Sequence, residues 1–175
     1  MNIDRVVLAQ YVSLEEMGVY GIGFMFGSIA GMIVTANMSA YLPRVKKVMA
    51  SGNEREVKRL TTHYIQEIQH LMLIVVILIA VFNDLIIYLF ANNYSGSLSA
   101  VVMVGVAMGD LARSRYLFFK HILFLKNKIN NIFFNEIITL VVGFLFAVPI
   151  IKYIGVIGAS IVATLTYIIM NIITY

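Results

Sequence analysis

Residues 71–89 read LMLIVVILIAVFNDLIIYL, and the twelve positions from Leu71 to Phe82 are apolar without a break. As a helix this stretch is about 29 Å long at ~1.5 Å per residue, close to the ~30 Å thickness of bilayer hydrocarbon. A helix on the surface of a soluble domain keeps one polar face, and none is present here. Working outward, comparable runs lie at about 18–42, 97–119, 129–151 and 154–175, with the quoted run occupying 70–90. Composition agrees. Hydrophobic residues make up 61% of the 175-residue chain and charged residues 13%, against about 25% charged in soluble domains. The expected fold is all-α, a polytopic membrane bundle of about five transmembrane helices in one domain over residues 1–175. There is no cysteine, which excludes a disulfide scaffold and a thiol nucleophile. Residues 1–16, MNIDRVVLAQYVSLEE, lack the long apolar run and cleavage site of a signal peptide. Their Val6, Val7, Leu8, Tyr11 and Val12 suit a segment lying on the membrane surface.

The basic residues set the expected orientation. Residues 44–59 hold Arg44, Lys46, Lys47, Arg55, Lys58 and Arg59, and residues 113–128 hold Arg113, Arg115, Lys120, Lys126 and Lys128. When five spans alternate, both segments fall on one side. The positive-inside rule makes that side cytoplasmic. The amino terminus is then expected outside and the carboxyl terminus in the cytoplasm. Residues 44–69 read as a cytoplasmic polar segment, turning at Ser51-Gly52-Asn53 and then helical into the second span. The net charge of +4 therefore reports cytoplasmic loops, and no nucleic-acid partner is expected. The surrounding membrane lipid is the expected contact. Acidic residues precede the first span and basic ones follow it, a polarity that suits a helix preceded by another. The chain thus reads as part of a longer transporter, with a small oligomeric membrane protein as the alternative.

Few residues carry chemistry. Gly23, Gly27 and Gly31 recur every four positions, a stripe along which another helix can pack closely. The loose Gly21-x-Gly23 pair follows no strand and is not a nucleotide loop. His63, Glu67 and His70 share a helix face, yet they stand at the cytoplasmic end of a span, where solvated polar residues belong. No metal site, cofactor or enzymatic activity is expected. Ionisable residues inside spans are more informative, because lipid penalises them unless they face a cavity or a partner. Arg113 lies about 24 Å along a helix from Ser97, within reach of the cytoplasmic boundary by snorkelling. Either it sits at that boundary, or Arg113 or Arg115 faces a cavity and binds phosphate through its planar fork. The two are about 200° apart around a helix, so one at most faces the cavity squarely. Asp110 is placed to pair with Arg113. Glu136, about 10 Å into its span, pairs with a cation of the preceding span or exchanges protons. Asp110 and Glu136 are the ion-coupling candidates, and Arg113 and Arg115 the substrate-path candidates.

Two stretches resemble a known family. DRVVLAQYVSLEEMGVYGIGFMFGSIAGMIVTANMSAYLPRV (residues 4–45) resembles the opening of the second half of polysaccharide (O-antigen type) flippases through Asp4, Arg5, Glu15, Glu16, Gly18, Tyr20 and Pro43. IIKYIGVIGASIVATLTY (residues 150–167) is similar to the segment leading into that family's twelfth span, through Lys152, Gly155, Gly158, Ala159, Ala163, Thr164 and Tyr167. The resemblance implies the multidrug/oligosaccharidyl-lipid/polysaccharide exporter superfamily, whose fold is two six-helix lobes around a central cavity. The five spans would correspond to the eighth to twelfth, with the first lobe supplied from elsewhere. It further implies an alternating-access flippase of the bacterial inner membrane, carrying an undecaprenyl-diphosphate-linked oligosaccharide. The rival expectations are a drug or cation antiporter of the same superfamily and a small structural membrane subunit.

Overall fold

The computed structural model describes residues 3–91 and 97–174. Seven helices account for nearly all of them: α1 (Ile3–Tyr11), α2 (Leu14–Gly27), α3 (Ile29–Ala50), α4 (Glu54–Ala91), α5 (Ser97–Leu125), α6 (Ile129–Ile154) and α7 (Val156–Thr174). The all-α bundle expected from the apolar runs is what forms. The expected loop at 92–96 lies outside the described residues.

Local chemistry places the helix ends. Ser13 and Glu16 form a reciprocal capping box: Glu16 N–H donates to Ser13 Oγ at 3.2 Å, and Ser13 N–H donates to Glu16 Oε2 at 3.0 Å. This starts α2 four residues before the expected span. Gly52 and Asn127 take left-handed backbone (φ 71° and 55°) and turn the chain into α4 and α6. Gly155, at φ 64°, is the sole residue between α6 and α7. Gly158 closes that corner, since a Cβ there would lie 2.8 Å from the Ile150 carbonyl oxygen.

Four helical stretches are long and apolar enough to cross a membrane: Leu14–Ala50, Glu54–Phe90, Ile129–Ile154 and Val156–Ile173. The expected third span, α5, is long enough but is missing from this set. It carries Asp110, Arg113, Arg115 and Lys120, and it packs against α2, α3, α4, α6 and α7, which gives such charges neighbours to meet.

Glycine contacts fix the directions. A Cβ on Gly23 would meet the Ser99 oxygen and Val102 at 2.8 Å, and one on Gly27 would meet the Met103 oxygen at 2.6 Å and Val106 at 2.8 Å. Both numbers rise together, so α2 runs parallel to α5. Gly105 meets Ser160 at 2.7 Å and Gly109 meets Thr164 at 3.4 Å. Further along, Asn171 Nδ2 donates to the Ala112 oxygen at 2.6 Å. α7 is therefore parallel to α5 as well. The ends of α3 and α5 share one end of the bundle with the start of α4. There Tyr64 stacks on Phe118 with centroids 4.1 Å apart, and Tyr41 lies 4.6 Å from Tyr64. The two basic segments thus lie at the same end, as alternation requires.

α1 packs on α6 and α7 and buries Val7 and Leu8 among Ala147, Ile151, Val156 and Ala159, while Val6 and Tyr11 stay exposed. Nine residues cannot span a bilayer, but their adjacent apolar pair fills the gap between those helices. The span expected at 18–42 lies within Leu14–Ala50, and it is not one continuous helix. It breaks at Ser28, whose hydroxyl donates to the Met25 carbonyl at 2.8 Å, and resumes as α3 through Ala50. Such a hydroxyl bond competes with the helical ladder.

Gly27→Leu forces α2 off α5 and lowers stability by about 1–3 kcal/mol, an overpacking effect. Gly21 has nothing within 4 Å of an added Cβ, and Gly21→Ala holds stability level or raises it by up to about 1 kcal/mol. Thermal unfolding of the two variants in detergent distinguishes them.

Candidate functional site

A cavity of about 830 Å³ lies among α1, α2, α3, α5, α6 and α7. Helical spacing explains its walls. Ser28 at the break and Gly31, Thr35 and Ser39 of α3 line it, three or four residues apart and so on one face. From α5 come Asp110, Arg113, Tyr116 and Lys120, again at steps of three or four, with Leu117 beside them. Glu136, Thr139 and Gly143 line it from α6, and Thr166 and Tyr167 from α7. Asp4, Tyr20 and Phe24 complete it from α1 and α2.

Two ion pairs occupy the walls. Arg113 Nη1 stands 3.3 Å from Asp110 Oδ1, one turn away on α5, the pairing expected from the spacing. The Arg113 guanidinium also lies 5.8 Å from the Tyr167 ring centroid, within cation–π range. Lys120 Nζ donates to Glu136 Oε1 at 2.5 Å, and Tyr116 Oη donates to the same oxygen at 3.0 Å. Glu136 therefore pairs with a cation of the preceding helix. A third carboxylate, Asp4, accepts a hydrogen bond from the Tyr20 hydroxyl. Buried charge is tolerable when paired and hydrogen-bonded in this way.

Asp110 has an unusual seat. A Cβ on Gly31 would lie 2.6 Å from its Oδ2, and the Gly31 backbone amide is a further partner of the carboxylate. Gly31 is the third residue of α3, so the carboxylate stands at the positive end of that helix, just past the Ser28 break. The stripe therefore divides. Gly23 and Gly27 pack helix backbone on helix backbone, whereas Gly31 makes room for a charged side chain.

The sequence-based candidates separate in the same way. Arg113 faces the cavity. Arg115 does not line it, and its guanidinium lies 5.8 Å from the Phe119 ring centroid. Asp110 and Glu136 are both in the cavity wall, 26 positions apart in sequence. His63 pairs with Glu67 at 3.1 Å, while His70 Nδ1 lies 2.7 Å from the Gln66 oxygen. Among the described residues no group of three or more His, Asp or Glu could hold a metal ion.

Tyr116 carries no signal in the sequence, Asp4 and Tyr167 enter only through the family resemblance, and Lys120 is one of three cations, with Arg113 and Arg115, that could pair with Glu136. Lys120 reads as part of the basic turn after the third span. Its position seven residues past Arg113 is the signal that puts both on one face. Tyr20 reads as a boundary aromatic, yet it is 2% exposed and holds Asp4. Tyr88 and Tyr153 do stand exposed near helix ends. Comparison with known protein families, characterised proteins and solved structures finds no match to this chain.

The chain has no native thiol, so single cysteines report the cavity directly. Thr35→Cys and Thr139→Cys react with a charged, membrane-impermeant maleimide. Ile74→Cys, on the outward apolar face of α4, stays unreactive. Mass spectrometry of labelled membranes reads the difference.

Proposed function

We propose that this chain forms five of the six spans of the carboxyl-terminal lobe of a lipid-linked polysaccharide flippase of the bacterial inner membrane. In this reading it carries an undecaprenyl-diphosphate-linked oligosaccharide by alternating access, facing a second lobe of the same transporter. The observation that carries the proposal is Arg113. An arginine inside a bundle of apolar helices is expensive unless it faces a cavity or a partner; Asp110 meets Arg113 through Nη1 at 3.3 Å, and the side chain still stands in the cavity wall, 42% exposed. Its planar fork suits phosphate oxygens. The flippase-like stretches at residues 4–45 and 150–167 supply the substrate class. Lys120, one helical face along, adds a second cation at hydrogen-bonding reach from the cavity. The hydroxyls of Ser28, Thr35, Ser39 and Thr166 offer donors and acceptors to sugar or phosphate.

The orientation belongs to the same proposal. The shared end of the two basic segments is placed in the cytoplasm by the positive-inside rule. The amino terminus and the α6–α7 corner then face outward. Asn53→Cys, in the turn before α4, is labelled in inverted membrane vesicles and protected in intact spheroplasts.

A second reading has one observation in its favour. Acids outnumber bases in the cavity wall, with Asp4, Asp110 and Glu136 against Arg113 and Lys120. A cation or drug antiporter of the same superfamily would use them.

Reconstituted vesicles separate the two. Arg113→Ala lowers movement of a fluorescent lipid-diphosphate oligosaccharide by tenfold to a hundredfold, the equivalent of about 1.5–3 kcal/mol for a charged hydrogen bond. Arg113→Lys retains part of the rate. Unchanged glycan movement in Arg113→Ala removes that residue from the mechanism. Efflux of a lipophilic cation that is lost in Glu136→Gln favours the antiporter.

A further inference from the structure

A free hydroxyl both donates and accepts. Most hydroxyls in this cavity have already given their proton away. Thr35 Oγ1 donates to the Gly31 carbonyl at 2.9 Å, Ser39 Oγ to the Thr35 carbonyl at 2.9 Å and Ser28 Oγ to the Met25 carbonyl at 2.8 Å. On α6 and α7, Thr139 Oγ1 donates to the Asn135 carbonyl at 2.7 Å and Thr166 Oγ1 to the Val162 carbonyl at 2.8 Å. Tyr116 and Tyr20 donate to Glu136 and Asp4. A hydroxyl in this state shows the cavity only its lone pairs. The bond it donates also polarises the oxygen and strengthens it as an acceptor. An anion would first have to turn each proton away from its carbonyl, whereas a donor meets the lone pairs as they stand.

The donors are fewer and lie elsewhere in the wall. Arg113 has N–H groups beyond the Nη1 that meets Asp110. Tyr167 lies against its guanidinium, and the Tyr167 hydroxyl donates to none of the described residues. Lys120 follows two turns along α5. α3 and α6 both pack on α5 and are not packed on each other. The donors thus belong to α5 and its neighbour α7, and the acceptors of α3 and α6 flank them. A bare anion satisfies the donors and leaves oxygen facing oxygen along the flanks. An organic cation satisfies the flanks and leaves Arg113 facing positive charge. A ligand matches both sets when it joins an acceptor group to several donors, as a sugar joined to phosphate does.

We propose that Thr35, Ser39 and Thr139 form a sugar subsite beside Arg113, accepting hydrogen bonds from free hydroxyls of the sugar attached to the diphosphate. The inference rests on the flippase reading and adds a criterion for its glycan: the first sugar keeps its hydroxyls unsubstituted. An acylated or methylated hydroxyl has no proton to give, and it sets acceptor against acceptor in a confined space. Thr35 and Ser39 are exposed and four positions apart, a rise of about 6 Å at ~1.5 Å per residue. That is close to the distance between hydroxyls on opposite edges of one hexose ring.

Binding to the full chain in nanodiscs tests the subsite. The probes are farnesyl diphosphate, a farnesyl-diphospho-hexose, and analogues of the latter with one hexose hydroxyl at a time replaced by fluorine. Fluorine is small and cannot donate, so it removes the hydrogen bond without adding bulk. At least one analogue is expected to bind about tenfold more weakly than the parent. Thr35→Val or Thr139→Val lowers affinity for the parent by about threefold to tenfold and narrows its advantage over that analogue. The affinity for farnesyl diphosphate moves less. Equal binding of the parent and every fluorinated analogue by the wild-type chain overturns the subsite and leaves the diphosphate reading in place, and it needs no variant. A uniform fall for all probes in the valine variants also overturns it, because a misshapen cavity rather than a lost acceptor produces that pattern. Failure of the wild-type chain to bind any of these probes overturns both readings, and binding of a lipophilic ammonium in their place assigns the acceptors to an antiporter.

Discussion

The bundle depends on close approach to α5. Apolar helices gain little from meeting one another in lipid, because lipid tails are as apolar as leucine. Association must come from dispersion and from polar contacts between backbones, and both need short distances. Gly23 and Gly27 bring α2 against α5, and Gly105 and Gly109 bring α7 against a second face of it. The contact with α7 is supplemented by the Thr164 hydroxyl, which donates to the Gly105 carbonyl at 3.3 Å. Two glycine pairs, one on α2 and one on α5 itself, thus make α5 the axis of the fold.

That central position is what permits charge. A helix packed on several others gives charged side chains neighbours to meet, so α5 carries Asp110, Arg113, Arg115 and Lys120. α4 and α6, which are exposed along much of their length, keep long outward rows such as Ile74, Ile77 and Val81 or Phe133, Ile137 and Leu140. The polar cavity follows from the same arrangement. Its hydroxyl-bearing wall on α3 and its carboxylate on α6 both turn toward the charged face of α5, where every ion can find a partner.

The break at Ser28 connects packing to the site. It falls between the glycines that grip α5 and the residue that seats Asp110. On one side Gly27 fixes α2 by backbone contact. On the other, the start of α3 is held through a carboxylate that also belongs to Arg113. A change in the partner of Arg113 therefore acts on the point where this span is interrupted. Interrupted helices whose ends meet polar groups are a recurrent device of membrane transporters.

The helical content, the approximate spans and the partner of Asp110 follow from local rules, and all are legible in the chain. An unbroken apolar run has no other stable form in lipid, and residues three apart on a helix are neighbours wherever the helix lies. The same periodicity contains the Gly23–Gly27 stripe and the fact that Arg113 and Arg115 diverge. Other features depend on which helices become neighbours. The burial of α1, the seat of Asp110 against Gly31 and the choice of Lys120 for Glu136 are contacts between residues distant in sequence. No spacing rule reaches across those separations. The sequence by itself determined that this protein is a helical membrane bundle with basic segments at one end. The tertiary structure alone decided that α5 is its axis and which charges meet in the cavity, because packing distances between helices, not periodicity within them, select those partners.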